Sequence, residues 1–225
     1  ADTAYQRQRP RNFGSQLELL ERIGATVIVA SFGQTEVLDG ATRLPEFIAA
    51  YEALLDEFSA RTPRIILIPP RPFEKPPTAH LPDLTRHNGD VAAYTEAIRE
   101  LATRRGLLFV DLADLPTRGL TSDGTQLTTA GQRTWANVVA TQLGGEPRVS
   151  PDEDLRRLIQ RKNHLWRQHW RPTNWSFLYG NRQHVPSSHD HRPGQPRWFP
   201  QEVDAIIPLI EEAEAGIFAA REESR

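Results

Sequence analysis

Three groups of residues have the types and spacing that bear on chemistry. The first is the turn Gly33-Gln34-Thr35-Glu36, which follows the apolar, β-branched run of residues 25–32. At the carboxyl end of a strand in an open α/β sheet, the backbone amides and short polar side chains of such a turn face a crevice and can hold a ligand. Taken alone, the turn is more often an ordinary strand-to-helix connection. Glu36 lies close to Asp39 and so suggests paired carboxylates, but a loop or cap role for Glu36 is the better reading. The second group is Asp123-Gly124-Thr125-Gln126 within LTSDGTQLTTAG, residues 120–131, a polar turn that runs into a helix. The third is His184, His189 and His191 with Asp190, which are metal-ligand types. No helical or strand spacing converges them, so a solvated polar loop is preferred and no metal is expected. His164 and His169 fall in a tryptophan-rich helix and read as packed or surface histidines. The glycosylation pattern Asn174-Trp175-Ser176 is common by chance.

The elements that must position these groups follow from periodicity. Residues 13–23 place Leu17, Leu20 and Ile23 at helical spacing, with Gly24 as a stop. Residues 25–32 predict a strand buried on both faces of a parallel sheet. Residues 44–61 predict an amphipathic helix with Phe47, Tyr51, Leu54, Leu55 and Phe58 on one face. Residues 64–68 form a second strand, closed by Pro69 and Pro70. Residues 71–88 are a long proline-rich irregular segment, and loops of that length tend to be functional or mobile. A helix over 90–105, a third strand over 107–112, a turn over 121–128 and a helix over 129–143 complete the series. The last helix directs Trp135, Val138, Val139 and Leu143 inward. This β-α-β-α-β-α order implies parallel strands joined by right-handed crossovers.

After a linker at 144–151 the pattern changes. Residues 152–170 predict a helix with Leu155, Leu158, Ile159, Leu165, Trp166 and Trp170 on one stripe. Residues 171–200 are irregular, and 201–223 predict one final helix. Four of the five tryptophans fall after Glu146. Such a tail cannot build its own core and is expected to pack on the α/β part. The expected organisation is therefore an α/β domain over 1–145 and a helical, aromatic-rich extension over 146–225.

Composition narrows the function classes. A net charge of -2 gives no case for nucleic acid or an anionic membrane surface. No run approaches the ~18 apolar residues of a membrane span. Zero cysteines exclude disulfides, thiol catalysis and thiolate metal sites. Zero methionines point to a processed, truncated or fragmentary chain. Its basic residues are nearly all arginine, with only Lys75 and Lys162 as lysines.

The block over 120–131 resembles the last motif of the SGNH, or GDSL, hydrolases, Asp-x-x-His, commonly D-G-x-H-L-T before a helix that begins near a glycine. Asp123, Gly124, Leu127, Thr128 and Gly131 match it. Gly33 to Glu36 is similar to the family's Gly-x-Asn-Asp or Gly-x-Asn-Glu. Asp2 and Thr3 resemble the end of the segment whose glycine donates to the oxyanion hole. The tail KNHLWRQHWRPTNWSFLYGNRQH resembles an extension on some planctomycete-type members.

This resemblance implies a three-layer, flavodoxin-like α/β fold with a parallel sheet, here without its first two strands. It also implies a Ser-His-Asp triad without a cofactor. The nucleophile block falls upstream of Ala1, and neither Ser15 nor Ser31 sits where it would. The family histidine falls on Gln126, whose amide cannot take and return a proton as a serine nucleophile requires. The oxyanion-hole asparagine falls on Thr35, and losing such a donor typically costs ~3 kcal/mol of transition-state stabilisation. Asp123 remains, without the histidine it would orient.

The expectation is therefore a catalytically degenerate SGNH-like domain, retained for binding or assembly. Its sheet would be completed by a protein partner or by an N-terminal segment. The resemblance also implies an extracytoplasmic location, periplasmic or secreted. The alternative is an active ester hydrolase on acylated carbohydrate or small esters, completed by an upstream segment. A metal-dependent enzyme using the late histidines ranks last.

Overall fold

Three aliphatic runs form the sheet. In the computed structural model, β1 (Ile28–Ser31) pairs parallel with β2 (Ile65–Ile68), Ile28 opposite Ile65 and Ser31 opposite Ile68. β3 (Leu108–Phe109) pairs parallel with the other edge of β2, in the order β1-β2-β3. The structure describes residues 15–116, 118–146, 152–173, 175–178, 180–185 and 198–223. The chain divides into two compact units, Ala1–Arg148 and Val149–Arg225, each taken here by itself.

In the first unit, α1 (Gln16–Arg22) starts from a capping box in which Ser15 Oγ accepts from Glu18 N at 3.1 Å. α2 (Leu44–Ser59) carries Pro45 in its first turn, where no amide hydrogen is needed. α3 (Asn88–Arg105) ends at Gly106, which takes the left-handed conformation at φ +63°. Phe47, Tyr51, Leu54, Leu55 and Phe58 of α2 meet Val91, Tyr94, Ile98 and Leu101 of α3 over Ile28, Ala30, Ile65 and Leu67 of the sheet. Side chains alternate along a strand, so Ile66 and Ile68 point to the opposite face. There they pack with Val110, Leu112, Leu115 and Leu120 against Trp135, Val138 and Val139 of α4 (Thr129–Gln142). Helices thus lie on both faces of a parallel sheet, in three layers.

The strands are shorter than their apolar runs, for identifiable reasons. Residues 25–32 yield a strand only over Ile28–Ser31, because the carbonyl of Thr26 is taken by the Thr62 hydroxyl at 2.9 Å. Nor is β1 buried on both faces: Val27 is 43% and Val29 54% exposed. The helix on that side, α4, packs against Ile66, Ile68 and Val110 and leaves Val29 uncovered. The third strand ends after Phe109 instead of reaching residue 112. Gln142 of α4 accepts from Asp111 N at 2.6 Å and donates to Asp111 O, so that residue's ladder groups belong to a side chain. Leu143 is 44% exposed instead of inward, one residue past the end of α4.

In the second unit, Asp152 caps α5 (Glu153–Trp170) by accepting from Asp154 N and Leu155 N at 3.1 and 3.0 Å. A short α6 (Trp175–Leu178) follows. The expected single helix over 201–223 is two, α7 (Trp198–Asp204) and α8 (Ile206–Glu223). Pro208 accounts for the break, because it has no amide hydrogen to give to residue 204 and its ring crowds that carbonyl. α5 packs along α8, with Lys162 Nζ 3.8 Å from Glu214 Oε1. Ile159, expected on the apolar stripe, is 38% exposed. His169 is buried, its Nδ1 3.2 Å from the carbonyl of Val203, beside the stacked rings of Trp166 and Trp170.

His184 is exposed, while Asn174, His189, Asp190 and His191, like Asp2 and Thr3, lie outside the described residues. Among the described residues no group of three or more metal-ligating side chains gathers. No described helix is long and apolar enough to cross a membrane.

Candidate functional site

Beyond β1 the chain turns at Gly33, with φ +106°, where an added Cβ would come within 3.2 Å of Pro70 Cδ. Only glycine combines that backbone with that approach. Glu36 closes the turn by accepting from Gly33 N at 3.2 Å, and Val37 N donates to Gly33 O at 3.0 Å. Gln34 reaches into the segment after β2. Its Oε1 accepts from Arg71 N at 3.0 Å and its Nε2 donates to Arg71 O at 3.1 Å, imitating a strand neighbour. Thr35 is exposed on the same turn. Gln34→Ala removes both bonds and should cost about 1–2 kcal/mol. Urea unfolding of the variant checks this, and an unchanged midpoint would mean the two loops are not joined there.

Asn88, at the start of α3, repeats the device two residues further on. Its Oδ1 accepts from Phe73 N at 2.8 Å and its Nδ2 donates to Phe73 O at 3.0 Å. With backbone fixed on both sides, Glu74 is aimed at the segment that follows β3. Its Oε1 accepts from Leu120 N at 2.9 Å, and its Oε2 from Thr121 N at 3.0 Å and Thr121 Oγ1 at 2.6 Å. Burial pushes the Glu74 carboxyl up. The Thr121 hydroxyl, the two amides and the nearby Arg71 charge outweigh that and hold it below its ordinary value. Burial lowers the Arg71 guanidinium, opposed by the charges of Glu74 and Asp123. The backbone of Glu74 also meets Gly124, whose carbonyl accepts from Glu74 N at 3.1 Å. An added Cβ on Gly124, at φ +92°, would lie 2.6 Å from Glu74 O.

The turn around Asp123 organises itself. Asp123 Oδ1 accepts from Gln126 N at 2.6 Å, Thr125 N at 2.8 Å and Thr125 Oγ1 at 2.9 Å. Led by the two amides, these bonds hold the carboxyl below its ordinary value. Ser122 N donates to Gln126 O at 2.9 Å, and Thr121 bridges Leu127 in antiparallel fashion. The Gln126 side chain is exposed. Thr128 then caps α4, its Oγ1 accepting from Gly131 N at 3.0 Å.

The segments after β1, β2 and β3 are thus tied together at the carboxyl edge of the sheet, through Gln34 to Arg71 and through Glu74 to Leu120 and Thr121. Of the residues expected at the site, Gly33 and Glu36 bond each other and Asp123 bonds the Gln126 amide. Arg71 and Glu74, which hold the assembly together, were not singled out from the sequence. The signal available was a pair of opposite charges three residues apart among prolines, just past a strand. His87, in the same proline-rich segment, is engaged by Asp90 at 3.5 Å and by Arg86 Nε at 3.1 Å.

The model of the GDSL-like lipase/acylhydrolase family matches residues 2–134, more than half of the chain. The chain belongs to the GDSL-like lipase/acylhydrolase family. Among solved structures it is similar to two mutants of Axe2 from Geobacillus stearothermophilus. One is a catalytic mutant described as an acetylxylan esterase, the other is described as an acetyl-xylooligosaccharide esterase. Each is 19% identical with a TM-score of 0.43, over 61% of this chain and 72% of the other. No curated protein matches the chain. As a GDSL-like domain, the first unit presents a parallel sheet whose carboxyl-edge loops carry the hydrogen-bonded side chains of Gln34, Glu74 and Asp123.

Proposed function

We propose that this chain is a catalytically degenerate GDSL-like domain that binds instead of hydrolysing. One observation supports this above the others. At the family's histidine position stands Gln126, whose side chain is exposed while its amide is held by Asp123 Oδ1 at 2.6 Å. Asp123 here shapes the turn, its Oδ1 accepting three hydrogen bonds from Thr125 and Gln126. A carboxamide has no useful basicity near neutral pH, so it cannot relay a proton to or from a serine. Thr35, in place of an asparagine, offers a shorter donor to any developing oxyanion. The purified chain is expected to turn over p-nitrophenyl acetate no faster than buffer, and Gln126→Ala to change nothing. Turnover that disappears in Gln126→Ala would overturn the proposal.

The same reading gives β1 a role in assembly. Among the described residues β1 pairs on one side only, and Val27 and Val29 stand exposed beside it. An unpaired apolar edge drives association unless covered. We infer that a second polypeptide supplies the neighbouring strand, whether a separate subunit or an upstream segment, and makes this chain one piece of a larger assembly. Residues 1–145 would carry the family domain and 146–225 an extension, in an extracytoplasmic location inferred from the family. Sedimentation and hydrogen exchange on the isolated chain decide the point. Self-association, with rapid exchange along β1, is expected; a stable monomer whose β1 amides are well protected needs no partner.

A further inference from the structure

We propose that a cavity of about 660 Å³ in the first unit binds a small organic anion, a carboxylate or a phosphate ester. Its lining includes Phe73, Glu74, Lys75, Thr85, Asn88 and Arg118. That volume falls within the roughly 300–1,000 Å³ typical of small-molecule sites, well above what a bare ion needs.

The class of ligand follows from which lining groups still have hydrogen bonds to give. Both Glu74 oxygens are committed to Leu120 and Thr121. Asn88 spends both ends of its amide on the Phe73 backbone. The Thr85 hydroxyl donates to Asp83 Oδ1 at 2.6 Å, and that same oxygen accepts from Thr85 N at 3.0 Å. What remains is the Lys75 ammonium and the Arg118 guanidinium, both exposed and from different loops. Neither is in a salt bridge among the described residues.

The charges nearby do not cancel this pair. Asp83 feels Lys75, but it also feels Arg86, and the Glu74 charge lies in the field of Arg71. An open cavity with two uncommitted cations attracts negative charge. The guanidinium fork matches the paired oxygens of carboxylate and phosphate alike, and the ammonium adds a compact second charge. The lining holds no uncommitted carboxylate, imidazole or thiol, so the assignment is binding without chemistry. It stands whether or not the domain hydrolyses esters.

The test is calorimetric titration of the full chain at low salt with inorganic phosphate, galacturonate and glucose. Phosphate or galacturonate should bind and glucose should not. Whichever anion binds identifies the source, and binding of both supports the shared chemistry. Lys75→Ala and Arg118→Ala should each weaken the anion about tenfold or more, the scale of one charge-assisted hydrogen bond. Arg64→Ala, at an exposed arginine just before β2 that is absent from the lining, should leave it unchanged. Raising the ionic strength tenfold should weaken binding to the unaltered chain, a readout that needs no variant. Binding of neither anion, equal affinity in the Lys75→Ala/Arg118→Ala double variant, or insensitivity to salt would each overturn the assignment.

Discussion

Gly131→Ala should destabilise the protein by about 3 kcal/mol or more, although glycine-to-alanine inside a helix ordinarily stabilises by about 1 kcal/mol. Gly131 lies in the first turn of α4, and an added Cβ would fall 2.0 Å from the carbonyl oxygen of Leu120 and 2.8 Å from its carbon. Contacts that short do not exist, so one of the two backbones must move. Leu120 cannot retreat freely. Its oxygen accepts from Thr128 N at 2.8 Å and Thr128 Oγ1 at 3.2 Å, and its amide is held by Glu74. Moving α4 instead pulls Thr128 off the Leu120 carbonyl and breaks both of those bonds, worth about 1 kcal/mol each. Gly216 in α8 is the control, because nothing lies within 4 Å of its added Cβ. Gly216→Ala should stabilise by up to about 1 kcal/mol. Paired urea midpoints test the contrast; a Gly131→Ala midpoint that rises like that of Gly216→Ala would show that the 120 segment does not press on α4.

What the sequence revealed follows the range of the interactions involved. Helices α2 and α3 and the parallel order of the strands were legible because periodicity is local, and Phe47, Tyr51 or Ile98 declares its face within two turns. The Val27 and Val29 pattern was misleading, because β-branched residues look the same whether a neighbour covers them or not. The end of β3 could not be read at all: it is set by Gln142, 31 residues further along. Pro208 was visible, and the break it makes before α8 was a signal that went unused. At the candidate site, the turn from Gly33 to Glu36 and the glycines at 124 and 131 show as motifs. Their physical reasons, the approach of Pro70, Glu74 and Leu120, appear only in three dimensions. Glu74 was hidden for the same cause, since its partners lie 46 and 47 residues away.

Glu74→Ala should cost about 2–3 kcal/mol near neutral pH, because it leaves the amides of Leu120 and Thr121 and the Thr121 hydroxyl without the ionised acceptor they share. Glu74→Gln should cost about half as much, since one amide oxygen can still accept while its nitrogen cannot. The pH dependence separates this role from mere packing. The folded-state carboxyl of Glu74 lies below its ordinary value of 4.5. Above 4.5 both folded and unfolded chains carry the charge, and the stabilisation is complete. As the pH falls below that value the unfolded chain takes up the proton first, and the contribution is lost through the folded-state value. As the pH falls below 4.5 the wild type should therefore lose stability more steeply than Glu74→Gln, so that the two converge in acid. Both profiles also fall in absolute terms, because Asp111 and Asp123 are held below their ordinary values and titrate in both proteins, and that shared loss cancels in the difference. Urea unfolding at intervals across that range measures the difference. Parallel profiles for wild type and Glu74→Gln would mean the Glu74 charge does not hold the loops together, and that the carboxyl edge is assembled by Gln34 and the glycines alone.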